Sequence, residues 1–146
     1  MLDWPEKFLF AAALAQLGLT FGLMIWLGFI RVGLITSGKV PIREVALSSE
    51  AWPPQAMQVA NAVNNQFQLP LLFHAVVLLL LWSGITGWPE AVLAWVFVAL
   101  RFGHAYIHTT HNRVDQRFFV YSAGFFVLLA LWLVTALRLF LSPGQL

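Results

Sequence analysis

The sequence predicts an all-α membrane protein, a bundle of four transmembrane helices, and three observations carry that expectation. The 146 residues are 60% hydrophobic and only 10% charged, with a mean hydropathy of +0.80. A soluble domain carries about 25% charged residues, and a chain this short buries only about two-thirds of its surface. The excess apolar surface must therefore meet a bilayer. Four apolar stretches, 8–30, 58–82, 91–111 and 118–140, each approach the roughly 20 residues that cross a ~30 Å hydrocarbon core at 1.5 Å per residue. The scarce charge is also clustered: nine of the fourteen charged residues lie in the loop after the first stretch or between Arg101 and Arg117. One integral-membrane domain over 1–146 is expected. A net charge of +2 is too small to suggest nucleic acid as a partner. With no cysteine present, disulfides, thiolate metal sites and a cysteine nucleophile are excluded. Any thiol chemistry needs a thiol brought by the substrate.

The first span is longer than the ~7–15 apolar residues of a signal peptide and lacks a small-residue cleavage site, so it should remain as a membrane helix. The connection 31–55 is punctuated by Ser37-Gly38 and Pro53-Pro54. Between them Val40 to Ala51 predicts either a short surface helix, with Val40, Ile42, Val45, Ala46 and Leu47 as its apolar side, or a plain linker. The second span opens polar and becomes wholly apolar after Leu69. Gly84-Ile85-Thr86-Gly87-Trp88-Pro89 is a tight turn, which makes spans two and three an antiparallel hairpin. The third and fourth spans are joined through His111 to Gln116. Trp4, Trp26, Trp52, Trp88 and Trp132 are read as an aromatic belt. Arg31, Lys39 and Arg43 in the first loop, with Arg113 and Arg117 in the third, outweigh Lys7 and Arg138. The positive-inside rule then puts both of these loops in the cytoplasm and both termini outside.

Two polar stripes interrupt the apolar spans. On the second, Gln58, Asn61, Asn65 and Gln68 fall within about 80° of one helix face at 100° per residue, with Asn64 beside them. Amides in hydrocarbon need partners, so this stripe either glues helices or lines a wet crevice. On the third, Arg101, His104, His108 and His111 share about 80° of one face, with Asn112 at its margin. A charge at membrane depth marks a functional site by default, unless Arg101 snorkels to the interface. The two stripes meet at the cytoplasmic end, where Arg113 and Arg117 also lie. A donor-rich, positively biased pocket beside lipid suits the meeting of a water-soluble anion with a lipophilic molecule. Arginine pairs bidentately with carboxylates and favours a bound thiolate. A metal or haem reading, with His74 and His104 as axial ligands or the histidine row as ligands, has no carboxylate to support it; no metal is expected.

Asn65-Gln66-Phe67-Gln68-Leu69-Pro70-Leu71-Leu72-Phe73, followed by the run from Arg101-Phe102-Gly103-His104 to Val114-Asp115-Gln116-Arg117, resembles the bacterial branch of MAPEG, the membrane-associated proteins in eicosanoid and glutathione metabolism. The resemblance implies a homotrimer of four-helix subunits in a bacterial inner membrane, with glutathione as co-substrate bound between subunits near the cytosolic surface. A small lipophilic substrate would approach from the membrane lipid. It further implies Arg113 as the group that stabilises the glutathione thiolate, with Arg117 as the alternative if the register shifts, and Tyr106 as a match to a tyrosine of that site. Asn64 or Asn65 matches the family's asparagine, and Arg101, Gln68, His104 and His108 would complete the peptide site. Glutathione-using members commonly carry an arginine early in the second-span motif and a glutamate at the position of Gln68; this chain has Gln58, Ala60 and Asn61 in the early positions. His108 stands where eukaryotic members often have arginine. The implied function is a glutathione-dependent transferase or peroxidase acting on lipophilic substrates. The alternative is a non-catalytic scaffold, lipid-binding protein or accessory subunit with a partner in a membrane complex.

Overall fold

The structure, a computed structural model, describes residues 2–46 and 51–141. Helix α1 spans Trp4–Thr36, α2 Ile42–Val45, α3 Pro54–Asn64, α4 Leu69–Ser83, α5 Trp88–Thr109 and α6 Val114–Leu141, with one 3₁₀ turn at Asn65–Phe67. Four helical spans, Trp4–Thr36, Pro54–Ser83, Trp88–Thr109 and Val114–Leu141, are long and apolar enough to cross a membrane.

Each helix start has a local cause. The Asp3 carboxylate accepts from the Glu6 N–H and the Glu6 carboxylate from the Asp3 N–H, both at 2.9 Å, a reciprocal cap that satisfies two of the orphan donors of α1. Glu90 does the same for the Gly87 N–H at the start of α5. Prolines open α1, α3, α4 and α5 in the first turn, where the missing N–H is not needed. Gly84 ends α4 at φ +64, a left-handed conformation that glycine adopts without a Cβ penalty.

The second span is not one continuous helix. Pro70 cannot donate to the Gln66 carbonyl, and its ring would collide with that oxygen. The chain yields by tightening into the 3₁₀ turn Asn65–Phe67, and Gln68 takes φ −106 and ψ −104 before α4 begins. The face arithmetic for Gln58 to Gln68 assumed unbroken 3.6-residue periodicity, so it does not carry across this break.

Helix α5 is the inner member, packing on α1, α3 and α6, while α4 lies against α6 and α1. The small residues Ala12 on α1 and Ala91 and Ala94 on α5 are fully buried and allow close approach of backbones, the main source of helix association where lipid is as apolar as the interface. Phe73 of α4 stacks on Phe97 of α5, with ring centroids 4.6 Å apart and planes at 20°. At one end Phe8, Trp88 and Trp95 form an aromatic group, and the Trp95 indole donates to the Phe8 carbonyl at 3.0 Å. Beside it, buried Glu90 pairs with Arg138 at 2.9 Å, tying the start of α5 to the end of α6. At the opposite, basic end, Arg31 lies over the Trp52 ring at 4.9 Å. The expected surface helix reduces to the single turn of α2. Val40 is buried ahead of it and Ile42 is exposed. Leu47 and residues 48–50 of that expectation lie outside the described residues.

Candidate functional site

The polar face of α5 points inward at the basic end. Arg101, His104 and His108 are all buried, at 1%, 3% and 1% exposure, as their spacing of three and four requires. His111 does not extend the row, because α5 stops at Thr109. It lies in the link to α6 and its Nε2 is 2.7 Å from the Gln116 side-chain oxygen. Arg101 donates through Nη2 to the Asn65 carbonyl at 3.1 Å. Its Nε and Nη1 have no partner within the described residues, and neither do Nδ1 of His104 and His108. The two imidazoles meet edge to face at 5.6 Å, and the His104 ring lies 5.8 Å from the ring of Tyr121.

The acceptor that Arg101 uses exists because of the break in the second span. The Asn65 carbonyl, inside the 3₁₀ turn, is diverted toward α5. Below it, Gln66 is buried and its amide oxygen accepts from Gln16 of α1 at 3.0 Å, while its own nitrogen donates to the Ala62 carbonyl at 3.2 Å. Sequence reasoning missed Gln66 and Gln16. The signal was Pro70 four residues after Gln66, which displaces the polar face.

A cavity of about 210 Å³ opens above this layer, lined by Asn65, His104, Val114, Arg117, Phe118 and Tyr121. Arg117 is held by donating from Nη1 to the Asn112 side-chain oxygen at 2.7 Å, and its Nε has no partner within the described residues. Asn112 itself sits at φ 50, in the left-handed region that asparagine tolerates better than other non-glycine residues. Tyr121 was not singled out from sequence because it lies within an apolar span. Its spacing of four from Arg117 is the pattern that would have found it.

The remaining expected site residues take other positions. Gln58 donates to the carbonyls of His108 and Thr110 at 2.8 and 2.9 Å, closing the C-terminus of α5 in the way orphan carbonyls require. Asn61, Asn64 and Gln68 are exposed on the single chain. Arg113 is exposed and paired with Asp115 at 2.9 Å. Tyr106 is 67% exposed on the outer face of α5, and its ring meets that of His111 at 6.4 Å. His74 turns to α1, with Nδ1 2.6 Å from the Pro70 oxygen and Nε2 3.4 Å from the Ala13 oxygen. Asn65, His104, Arg117 and Tyr121 thus share one cavity with Arg101 directly behind Asn65. Arg113 and Tyr106 stand outside it. The cavity and its floor present two guanidinium groups, and the partners recorded for them are neutral oxygens.

The model of the MAPEG family matches residues 9–137. Comparison with curated proteins and with solved structures gave no match.

Proposed function

The chain belongs to the MAPEG family, and from that premise we propose that it binds glutathione at the basic end of the bundle and transfers the thiol to lipophilic electrophiles or reduces lipid hydroperoxides with it. The observation that carries this reading is the pair of arginines, Arg101 and Arg117, whose recorded partners are all neutral. A buried cation needs a counter-charge, and glutathione brings two carboxylates and a thiolate. Arg101 and Asn65 hold a carboxylate end of the peptide. Arg117 stabilises the thiolate, with the Tyr121 hydroxyl as a hydrogen-bond donor and His104 beside it. Arg117 takes this role in preference to Arg113 because it lines the cavity, whereas Arg113 is committed to Asp115 on the surface.

In transfer, the thiolate sulfur bonds to the electrophilic carbon and the leaving group departs with its electron pair. In reduction, the sulfur attacks the outer peroxide oxygen, the O–O bond breaks, and the alkoxide takes up the thiol's proton. The resulting sulfenic acid condenses with a second glutathione to give the disulfide and water. Gln68, Asn64 and Tyr106, exposed on the single chain, then contribute across a subunit boundary, and buried His108 backs His104 from within the bundle.

Homotrimeric assembly belongs to the same proposal. Asn61, Asn64 and Gln68 are amides exposed on a membrane-spanning segment, and a neighbouring copy supplies the partners that lipid cannot. The distribution of arginine and lysine supports a cytoplasmic basic end with both termini outside. A non-catalytic role as lipid-binding or accessory membrane protein is the second reading, favoured by the absence of any carboxylate between Pro54 and Ser83.

The deciding experiment is a glutathione titration of protein in nanodiscs, followed by the thiolate absorbance, on wild type and on Arg117→Ala, Arg101→Ala and Arg113→Ala. Loss of the thiolate signal in Arg117→Ala, weaker binding in Arg101→Ala and little change in Arg113→Ala are expected. No binding at millimolar glutathione would sink the reading. Binding without turnover on an aryl halide or a lipid hydroperoxide would favour the accessory role.

A further inference from the structure

Glutathione carries an ammonium group as well as two carboxylates and a thiol, and none of the residues lining the cavity at the basic end is acidic. The chain has six acidic side chains, Asp3, Glu6, Glu44, Glu50, Glu90 and Asp115. Asp3 and Glu6 cap α1, and Glu90 is bound to Gly87 and Arg138, all at the far end of the bundle. Asp115 is paired with Arg113 and lines a separate surface cavity with Ile107, Gln116, Phe119 and Val120. That cavity shares no residue with the one that Arg117 enters. Glu44 is exposed on α2, and Glu50 lies outside the described residues, in the connection between the first two spans. Asn65, by contrast, is about 16 Å along the second span from Pro54, and Tyr121 about 10 Å into α6 from Val114. A neighbouring copy brings the same six side chains, so assembly adds acids only at the level of the connections.

What the cavity offers is positive and donating. Arg117 lines it, and fully buried Arg101 stands behind Asn65. Nε of Arg117, Nε and Nη1 of Arg101 and Nδ1 of His104 have no partner within the described residues. An imidazole nitrogen or an amide oxygen can accept one hydrogen bond from an ammonium. A neutral acceptor does not offset a third positive charge beside two guanidiniums, and like charges repel more strongly where water is thin.

We propose that the thiol this site is built for is an anion without an ammonium group: it carries carboxylates for the arginines, and its amine is absent or blocked as an amide. The inference rests on the proposed thiol chemistry of the site and narrows its ligand. Glutathione is then the poorer member of the class, bound with its ammonium left in water at the cavity mouth. Val114 offers a way to reverse the preference. It lines the cavity, is 73% exposed and opens α6, so Val114→Glu adds a carboxylate where a helix N-terminus favours one and removes no core packing.

The test titrates the protein in nanodiscs with glutathione and with glutaryl-cysteinyl-glycine, the same peptide lacking only the amino group, and reads thiolate absorbance. The amine-free peptide should bind about tenfold more tightly, the equivalent of one pKa unit of interaction. Val114→Glu should move the affinity ratio about threefold toward glutathione, the scale of an exposed ion pair, and Val114→Gln should leave it in place. The ratio is the readout because both peptides share any loss at the thiolate or in folding. Equal or tighter binding of glutathione by the wild type overturns the proposal and leaves the glutathione reading standing, as does a ratio that Val114→Glu fails to move. Binding of the amine-free peptide alone supports the proposal and removes glutathione as the working thiol. Binding of neither overturns both.

Discussion

Removing Arg138 isolates the Glu90 carboxylate at the end of the bundle far from the basic site. Glu90 is fully buried, and its two oxygens use the Gly87 N–H at 2.9 Å and the Arg138 guanidinium at 2.9 Å. Arg138 also donates to the Ile85 carbonyl at 3.2 Å, so one side chain joins α6, the α4–α5 turn and the cap of α5. Breaking a buried ion pair from one side costs about 3–5 kcal/mol. The Arg138 side chain is 39% exposed, and solvent screening reduces the pair's strength, so Arg138→Met should destabilise by about 2–3 kcal/mol. Glu90→Gln combined with Arg138→Met should lose less than the sum of the single changes, a coupling of about 1–2 kcal/mol. A Cβ at Gly87 would lie 2.7 Å from Arg138 Nη1, so Gly87→Ala disturbs the same contact by steric means. The assay is reversible unfolding of the purified protein in mixed detergent–SDS micelles, run as a double-mutant cycle. Strict additivity, or a change below about 0.5 kcal/mol for Arg138→Met, would refute the argument. Glutathione binding should be unaffected, because the pair lies at the other end of α5; its loss would count against the placement of the site.

Three further outcomes follow from the same structure. Phe73→Ala removes a fully buried ring stacked on Phe97 and should cost about 3 kcal/mol, the low end of the range for such cavities, since lipid contact carries no transfer penalty; SDS unfolding reads it. Gln66→Leu strands the Gln16 amide in the core and should cost about 1–2 kcal/mol, whereas Gln16→Leu also removes an already unpartnered oxygen and should stay within about 1 kcal/mol in the same assay. Asn112→Gly keeps the positive φ but releases Arg117, so glutathione affinity should weaken about three- to tenfold with stability unchanged. Asn112→Ala should lower both, because alanine is strained at that backbone conformation.

Much of the fold was legible in the sequence, because composition and length act through a single term. Apolar stretches near 20 residues with 10% charge overall have only a bilayer in which to be stable, and every backbone group there must be paired within a helix. Spacing alone also placed Arg101, His104 and His108 on one buried face, since nothing interrupts α5 between Trp88 and Thr109. The second span was legible only in part. Helical periodicity predicted a continuous stripe from Gln58 to Gln68, but Pro70 withdrew a hydrogen bond and rotated the chain. Gln66 went inward, Asn61, Asn64 and Gln68 stayed outward, and Gln58 was spent on the end of α5.

Only the tertiary structure decided which basic residue enters the cavity. Arg113 and Arg117 are four apart and chemically alike, so sequence could not rank them. The left-handed turn at Asn112 starts α6 so that Arg117 and Tyr121 face His104, while Arg113 swings out to Asp115. The sequence by itself thus determined a membrane bundle with its scarce charge gathered at one end. Which of those charges are drawn inside was settled by packing, because a guanidinium is admitted to the interior only where the surrounding turns offer it oxygens, as Asn65 does for Arg101 and Asn112 for Arg117.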